Sequence, residues 1–319
     1  MATPGWTRRT VLGGAAIGGL VGPGTIDAAI GQAAPAATKP AFSFALNTST
    51  ISGQKVPIDA AFALAAKAGY DGIEPWIREL DMHTQAGKSL DDLGKLARDL
   101  NLKVVDAIGF FDWAVDDDAR RAKGLEEARR NFAMVAKVGG TRIAAPPSGA
   151  SDANAPRLDL ARVAERYRAL LELGRGFGVV PIVEVWGFAR NLTTLGEAAA
   201  VALGADHPDA AILADVYHLH KGGSGTHGLD LLGPNAVPIL HINDYPDKPR
   251  AALADADRVY PGDGVAPLAT ILRALDRPGS HTVLSLEVFN RDYWKQDPAT
   301  VAATGLAKIR AAVAAAAAG

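Results

Sequence analysis

Eight short apolar runs alternate with longer segments of helical pattern along this chain, and this repeat is the feature that most limits its fold. The apolar runs predict buried strands over residues 42–47, 71–76, 102–108, 141–145, 179–186, 211–215, 237–242 and 282–288. Helices are predicted over residues 59–68, 90–100, 118–138, 158–177, 193–203, 228–232, 266–275 and 298–317. Apolar strands separated by amphipathic helices indicate a parallel sheet covered by helices.

Eight such units predict an α/β fold consisting of a single closed (β/α)8 TIM barrel. The rival is an open, doubly wound sheet, which usually has a glycine-rich turn after its first strand. Here Asn47, Thr48, Ser49 and Thr50 follow the first strand, without that glycine pattern. Glycines end several predicted helices, which is typical of the short turns that a repeated β/α architecture needs.

Residues 1–38 differ in composition from the rest of the chain. Arg8 and Arg9 precede a weakly apolar run, and an Ala/Gly/Pro-rich stretch follows. This order resembles a cleavable twin-arginine signal peptide with its linker. It predicts export of the folded protein by the twin-arginine machinery, to the periplasm or the cell exterior, with the barrel over residues 39–319. The apolar run is too short and glycine-rich for a stable membrane span.

Charge and cysteine content narrow the chemistry. Lys and Arg total 33 against 35 Asp and Glu, a net charge of −2, which argues against a general nucleic-acid binder. The chain contains 0 cysteines, so disulfides, thiolate metal sites and cysteine nucleophiles are excluded together. Any metal ion must therefore be held by His, Asp and Glu. Nothing in this composition decides the oligomeric state, and an oligomer stays open.

The last four predicted strands each finish in a side chain that can bind a metal ion. These residues are Glu184, Asp215, His241 and Glu287. Strand ends of a barrel meet at one face, so the four side chains are expected around one mouth. Three converging carboxylates would repel one another unless a cation neutralised them. We therefore expect one divalent ion, with Mn²⁺ favoured and Mg²⁺, Co²⁺ or Zn²⁺ as alternatives.

The sequence around these ends resembles the sugar phosphate isomerase/epimerase superfamily, the xylose isomerase-like TIM barrels. The similar segments are Glu184-Val185-Trp186, Asp215-Val216-Tyr217-His218, His241-Ile242-Asn243-Asp244 and Leu286-Glu287, with Gly69–Glu74 and the Arg258…Pro261-Gly262-Asp263-Gly264 loop. The resemblance implies that Glu184, Asp215, His241 and Glu287 are metal ligands and that His218 and Arg258 hold substrate oxygens. Epimerases of the family commonly have a second Glu where this chain has Arg190, which could favour an acidic or differently oxidised sugar.

Position along the chain assigns roles to further residues. Trp76, Phe111 and Trp113 are expected to stack on a sugar ring, with packing under a lid as the alternative. Glu74 is interpreted as a partner of a barrel arginine rather than as a catalytic group, and Asp106 as structural.

The leading functional prediction is a metal-dependent sugar isomerase or epimerase outside the cytoplasm. It would abstract a proton next to a carbonyl through an enediolate, with Glu184 and Glu287 as the catalytic groups. The alternative on the same scaffold is a dehydratase of keto-sugars or polyols, or a 3-keto-glycoside lyase. An alternative of another class is an exported, non-catalytic carbohydrate-binding barrel. That interpretation predicts loss of an acidic ligand, and all three carboxylates are present.

Overall fold

The computed structural model describes residues 42–318. The predicted signal segment, residues 1–38, lies outside the described residues. In the described part, eight parallel strands form one sheet with the order β3-β2-β1-β8-β7-β6-β5-β4. The strands are β1 (Phe42–Asn47), β2 (Gly72–Glu74), β3 (Lys103–Val104), β4 (Arg142–Ala145), β5 (Val180–Glu184), β6 (Ile212–Asp215), β7 (Ile239–Ile242) and β8 (Thr282–Leu286).

The sheet closes on itself where its two ends approach. The backbone N–H of Ala144 in β4 donates to the carbonyl of Ala107, just beyond β3, at 2.9 Å. A bridge between Trp76 and Ile108 continues the pairing of β2 and β3 past the short β3. With β1 paired to both β2 and β8, the predicted (β/α)8 TIM barrel is confirmed.

Helices cover the outside of the barrel. They are α1 (Ile58–Ala68), α2 (Ile77–Gln85), α3 (Leu90–Asp99), α4 (Asp118–Lys137), α5 (Leu160–Arg175), α6 (Leu195–Gly204), α7 (Val216–Gly222), α8 (Leu268–Leu275) and α9 (Pro298–Ala318). Side chains that precede six of these helices accept a backbone N–H of the first turn, which compensates for the missing intrahelical partners. They are Ser89, Asp117, Asp159, Thr194, Asp215 and Asp297.

Four elements differ from the sequence prediction. Helix α7 follows β6 directly and helix α2 begins at Ile77, shortly after β2, and no helix was predicted at either place. The predicted helix at residues 228–232 is instead a 3₁₀ helix at Thr226–Leu231. Strand β3 has only two residues instead of the predicted seven, because the chain after Val104 leaves the ladder until the bridge at Ile108.

Apolar side chains fill two regions. A smaller cluster, which includes Ala45, Ile182 and Leu213, comes mainly from the strands. A larger cluster combines strand residues with the inward faces of the helices and includes Phe132 on α4 and Tyr167 on α5. The two packed layers hold the strand ends rigidly, which is what the site at the mouth requires.

Helix α9 is long and apolar enough, by length and composition alone, to cross a membrane. Val301, Leu306 and Ile309 on this helix are nevertheless buried in the larger apolar cluster. It packs mainly on α8 and α1, so in this structure it serves as the last helix of the barrel.

Candidate active site and metal centre

Four ligand-type side chains lie at the carboxyl ends of neighbouring strands. Glu184 and Asp215 are the last residues of β5 and β6, His241 is the third residue of β7, and Glu287 directly follows β8. Asp215 is paired with His241 in the ladder, which puts the two side chains side by side. All four are buried, the most exposed at 4%.

The side chains converge on Nδ1 of His241. Nδ1 lies 3.1 Å from Oε2 of Glu287, 3.6 Å from Oδ2 of Asp215 and 4.0 Å from Oε1 of Glu184. Ligand atoms of Asp215, His241 and Glu287 all lie within 4.8 Å of one another. The structure thus brings Asp215, His241 and Glu287 within ligand distance of one another and places Glu184 beside His241.

The other imidazole nitrogen is held by a residue that sequence reasoning set aside. Nε2 of His241 lies 2.9 Å from Oε1 of Glu74, which is fully buried. The second oxygen of Glu74 accepts hydrogen bonds from Ser285 Oγ at 2.5 Å and Asn47 Nδ2 at 2.9 Å. Burial opposes ionisation of Glu74, but His241 and these hydrogen bonds lower its pKa. An ionised Glu74 accepts a hydrogen bond from Nε2–H, which directs Nδ1 towards the three carboxylates.

This arrangement fits a divalent cation. An unprotonated Nδ1 that faces carboxylate oxygens is repulsive unless a cation lies between them, and a bound divalent ion would take the place of the Nδ1 proton. Oε1 of Glu184 lies on the side of His241, and Oε2 is buried without a hydrogen-bond partner, so this carboxylate can bind an ion through one oxygen and keep the other free. The guanidinium of Arg258 neutralises only part of the charge of the three carboxylates, and a divalent ion would offset more of it. Mixed carboxylate and imidazole donors suit Mn²⁺, Zn²⁺ and related ions.

The pKa shifts of Glu184, His241 and Asp215 also indicate that the site favours added positive charge. Burial raises the pKa of Glu184 to about 8, and the Glu287 carboxylate adds to this, although His241 opposes it. Burial lowers the pKa of His241, but the carboxylates of Glu287 and Glu74 outweigh it and raise the pKa well above its usual value. Burial would raise the pKa of Asp215, yet the Arg258 guanidinium holds it well below its usual range.

Arg258 joins the carboxylates to the histidine of α7. Its Nη1 donates to Oδ2 of Asp215 at 2.7 Å and to Oε2 of Glu287 at 2.8 Å. Its Nη2 lies 3.1 Å from Nε2 of His218. Burial lowers the pKa of His218 to about 4, so this ring is neutral at neutral pH and can accept from the guanidinium. Asp215 also caps α7 by accepting the backbone N–H of His218 at 2.8 Å.

The predicted aromatic residues separate into two groups. Trp76 lies at the mouth, where its Nε1 donates to Asn47 Oδ1 at 2.9 Å, and Asn47 also donates to Glu287. Phe111 and Trp113 belong instead to the apolar layer between barrel and helices. Phe111 packs on Phe132 of α4, and the structure does not bring either of these two rings to the mouth.

Arg190 is not brought to the ligand cluster either. Its backbone N–H donates to the carbonyl of Ser151 at 2.9 Å, and its side chain is exposed. Asp106, interpreted from the sequence as structural, lies buried inside the barrel with both carboxylate oxygens lacking a hydrogen-bond partner. Burial, together with the Glu74 carboxylate, raises its pKa well above the usual value.

Glu74 and Asn47 are the site residues that sequence reasoning missed. Both end short apolar runs, β2 and β1, in the same way as the four ligand candidates end theirs. That shared position at a strand end was the available signal. The register pairs Asn47 with Glu74, so the two side chains come together.

Comparison with known proteins places this geometry in a family. Residues 62–312 match the family model described as xylose isomerase-like TIM barrel. The chain belongs to that family. A solved structure described as the IolI protein with a binding zinc atom superposes with a TM-score of 0.78 at 22% identity, covering 85% of this chain and 98% of that one.

Two relatives of this xylose isomerase-like barrel have named activities. An inosose isomerase from Bacillus velezensis is 28% identical over 241 residues, which is 73% of this chain and 83% of the relative. A 3-dehydroshikimate dehydratase from Pseudomonas aeruginosa is 29% identical over 231 residues, 70% of this chain but only 35% of that protein. Enzymes similar to this chain therefore include both isomerases and dehydratases.

Proposed function

We propose that this protein is a metal-dependent isomerase or epimerase that removes a proton next to the carbonyl of a sugar or a polyol-derived ketone. The observation that carries the proposal is the convergence of three buried carboxylates on Nδ1 of His241, with one carboxylate oxygen unpartnered. The similarity to an inosose isomerase supports the reaction class.

Glu184, Asp215, His241 and Glu287 would hold the divalent ion. A bound divalent ion supplies Lewis-acid stabilisation of negative charge that develops on a substrate oxygen. The similarity to a zinc-bound structure supports a bound divalent metal, and Mn²⁺ remains our favoured ion because the donor set is mostly carboxylate.

The two glutamates differ in their freedom to move a proton. Oε2 of Glu184 has no partner, so it is the better candidate to accept the proton from carbon. Glu287 is more constrained, because Asn47 binds its Oε1 and Arg258 its Oε2. We therefore assign proton removal to Glu184 and proton delivery to Glu287. His218 and Arg258 would orient substrate oxygens, and Trp76 would stack on the sugar ring.

A second candidate on the same first step is elimination of a β-substituent, as in a dehydratase or a 3-keto-glycoside lyase. The similarity to a 3-dehydroshikimate dehydratase favours it. The exposed Arg190 also favours it, because it stands where epimerases of the family commonly have a second Glu. Arg190 is a candidate contact for an acidic group of the substrate at the mouth.

Turnover in D₂O tests the reaction class. A metal-supplemented reaction with free ketoses, inososes and 3-keto-glycosides is followed by NMR of the products. An isomerised or epimerised product with deuterium on the carbon that received the proton supports the first candidate. An unsaturated product with a released alcohol or water supports the second, since elimination returns no proton to the carbon beside the carbonyl. An isomerised or epimerised product without solvent deuterium would argue against a solvent-exchanging glutamate.

Substitution of the two glutamates tests their roles. Glu184→Gln and Glu287→Gln should each lower kcat by at least about 100-fold, the lower range for loss of a general base. Metal content must be measured in both variants, since both residues are also proposed ligands. Glu197→Gln is the matched control, because Glu197 lies on α6, outside the site, and pairs with Arg157. A variant that keeps its metal and its kcat removes that residue from the mechanism.

We also propose that the protein is exported by the twin-arginine route. The pair Arg8 and Arg9 ahead of an apolar run supports this location. Replacing both arginines with Lys should leave the full-length protein in the cytoplasm. Unchanged export of that double variant would refute the signal and leave the proposed reaction untouched.

A further inference from the structure

Six aromatic rings contact one another in series around the mouth of the barrel. The distances between the centroids of successive rings are 6.1 Å for Phe289 and Trp76, 5.5 Å for Trp76 and Phe110, 5.8 Å for Phe110 and Trp186, 5.2 Å for Trp186 and Phe188, and 5.4 Å for Phe188 and His218. We call these six residues the aromatic rim. They come after β2, β3, β5, β6 and β8, so five different strand ends contribute to one surface.

The aromatic rim is continuous with the candidate metal centre. Arg258 closes the series, because its guanidinium lies 5.1 Å from the Phe289 ring and 3.1 Å from Nε2 of His218. Trp186 lies two residues beyond Glu184, the last residue of β5, so the two side chains come from the same strand end. A sugar bound beside Glu184 would therefore have Trp186 as a neighbour.

One part of the rim faces solvent. Phe110 is 45% exposed and Phe188 is 47% exposed, and they flank the partly buried Trp186. We call these three residues the outer sector. Large aromatic side chains gain most from burial, so an exposed aromatic surface joined to a site marks a place where a ligand is bound.

The outer sector is held in place before any ligand binds. Gly187, between Trp186 and Phe188, leaves no room for a side chain: a Cβ there would lie 2.2 Å from the carbonyl oxygen of His218. The backbone N–H of Trp186 donates to Leu192 at 3.0 Å, and that of Ala189 donates to Trp186 at 2.8 Å. These contacts fix the loop against α7. Binding of a ligand would therefore cost little conformational entropy for ordering the aromatic rings of the outer sector.

We propose that the outer sector binds a second ring of the substrate, joined by a glycosidic link to the sugar ring at the metal centre. The proposal rests on the proposed function, because it takes the first ring to sit beside Glu184. The sector consists of three aromatic side chains, two of them about half exposed, and contains no charged group. Such a surface matches the apolar face of an aryl group or of a second sugar, rather than a phosphate. The substrate class is then a glycoside of a keto-sugar.

Binding measurements with matched probes test this assignment. Titration calorimetry on the Mn²⁺-loaded full chain would use methyl β-glucoside, phenyl β-glucoside and cellobiose, which differ only in the group attached to the glycosidic oxygen. We expect at least one of the two-ring probes to bind about tenfold more tightly than methyl β-glucoside, the gain expected of one or two aromatic contacts. Phenyl β-glucoside and cellobiose distinguish an aryl group from a second sugar.

Substitutions locate the effect. Phe110→Ala and Phe188→Ala should each reduce the preference for the two-ring probe several-fold and leave the affinity for methyl β-glucoside unchanged. Leu203→Ala is the matched control, because Leu203 is also a large exposed apolar residue, on α6 outside the rim. Metal content should stay constant in all three variants, and the melting temperature should fall by no more than about 4 °C.

Two results would overturn the proposal. One is equal affinity for the one-ring and two-ring probes, or no binding of either at millimolar concentration. The other is a change in oligomeric state, rather than in binding, when Phe188 is replaced, which would make the sector a contact between copies of the chain. Neither result bears on deuterium incorporation or metal content, so the proposed function succeeds or fails separately.

Discussion

Oε1 of Glu74 lies 2.9 Å from Nε2 of His241, on the side of the imidazole opposite to the three carboxylates. Both side chains are fully buried, and Ser285 and Asn47 fix the glutamate from the other side. The pair therefore selects both the ring orientation and the tautomer of the histidine. A carboxylate in this position also makes the opposite nitrogen a stronger ligand.

Replacement of Glu74 should weaken metal binding without removing a ligand. For Glu74→Ala we expect about 10- to 100-fold lower metal affinity, the effect of losing such a partner, while Glu74→Gln should be milder because its amide oxygen can still accept from Nε2. Competition with a fluorescent chelator measures the metal affinity of both variants. Glu79→Gln is the control, since Glu79 is a half-buried glutamate that contacts Thr48 and Trp76 instead of His241. If Glu74→Ala bound the metal ion with wild-type affinity, the hydrogen bond from His241 to Glu74 would not be needed for metal binding.

Metal should stabilise the folded chain through the four ligands. An ion that binds only the folded state adds about 2.7 kcal/mol at a free concentration of 100 times Kd. We expect Mn²⁺ or Zn²⁺ to raise the Tm of the wild type and to leave Asp215→Ala and His241→Ala nearly unchanged. Differential scanning calorimetry with and without chelator measures this. An equal rise in the ligand variants would place the ion elsewhere.

The four ligand candidates were predictable because each closes a long apolar run. Strands β5 to β8 alternate with helices in a regular way, and parallel strands end at one edge. The sequence predicted the second strand over residues 71–76, whereas β2 ends at Glu74, so Glu74 did not stand out as a strand end. Its partner was also invisible in the sequence, because the contact with His241 joins residues 167 positions apart.

Helix α7 and the aromatic rim depended on three-dimensional contacts. The sequence Val216-Tyr217-His218 favours extended structure by local propensity, yet α7 begins there because Asp215 caps it and Asn243 binds the N–H of Tyr217. Phe110 and Phe111 lie in an irregular segment without a repeat, so no periodicity could tell which of them faces the mouth. The packing of Phe111 against Phe132 of α4 determines which of the two rings is buried.

These neighbouring phenylalanines should differ sharply in their effect on stability. Phe111→Ala removes a ring that is 3% exposed and packed on Phe132, so we expect a loss of about 3–5 kcal/mol in the free energy of unfolding. Phe110→Ala, at a 45% exposed position, should cost about 1 kcal/mol or less. Urea unfolding measures both. In the folded fraction of Phe111→Ala, KM should match the wild type, and a raised KM would return Phe111 to the substrate site.

Arg258 should matter most to stability when no metal is bound. Its guanidinium is 1% exposed and pairs with Asp215 and Glu287, so Arg258→Met leaves two buried carboxylates facing each other. Removal of one partner from a buried ion pair costs about 3–5 kcal/mol. A bound divalent cation would take over part of that neutralisation. We therefore expect Arg258→Met to be strongly destabilised in chelator and to regain more stability from Mn²⁺ than the wild type does.

Two further variants separate charge from packing at this position. Arg258→Lys keeps the positive charge and should lie between the wild type and Arg258→Met. Arg130→Met removes a partly exposed arginine that pairs with Asp81 and Glu127, and its cost should be about 1 kcal/mol or less with no dependence on metal. Chemical unfolding of all four proteins, with chelator and with Mn²⁺, gives the comparison. If Arg258→Met loses the same free energy in both conditions, the arginine and the ion do not share the neutralisation of Asp215 and Glu287.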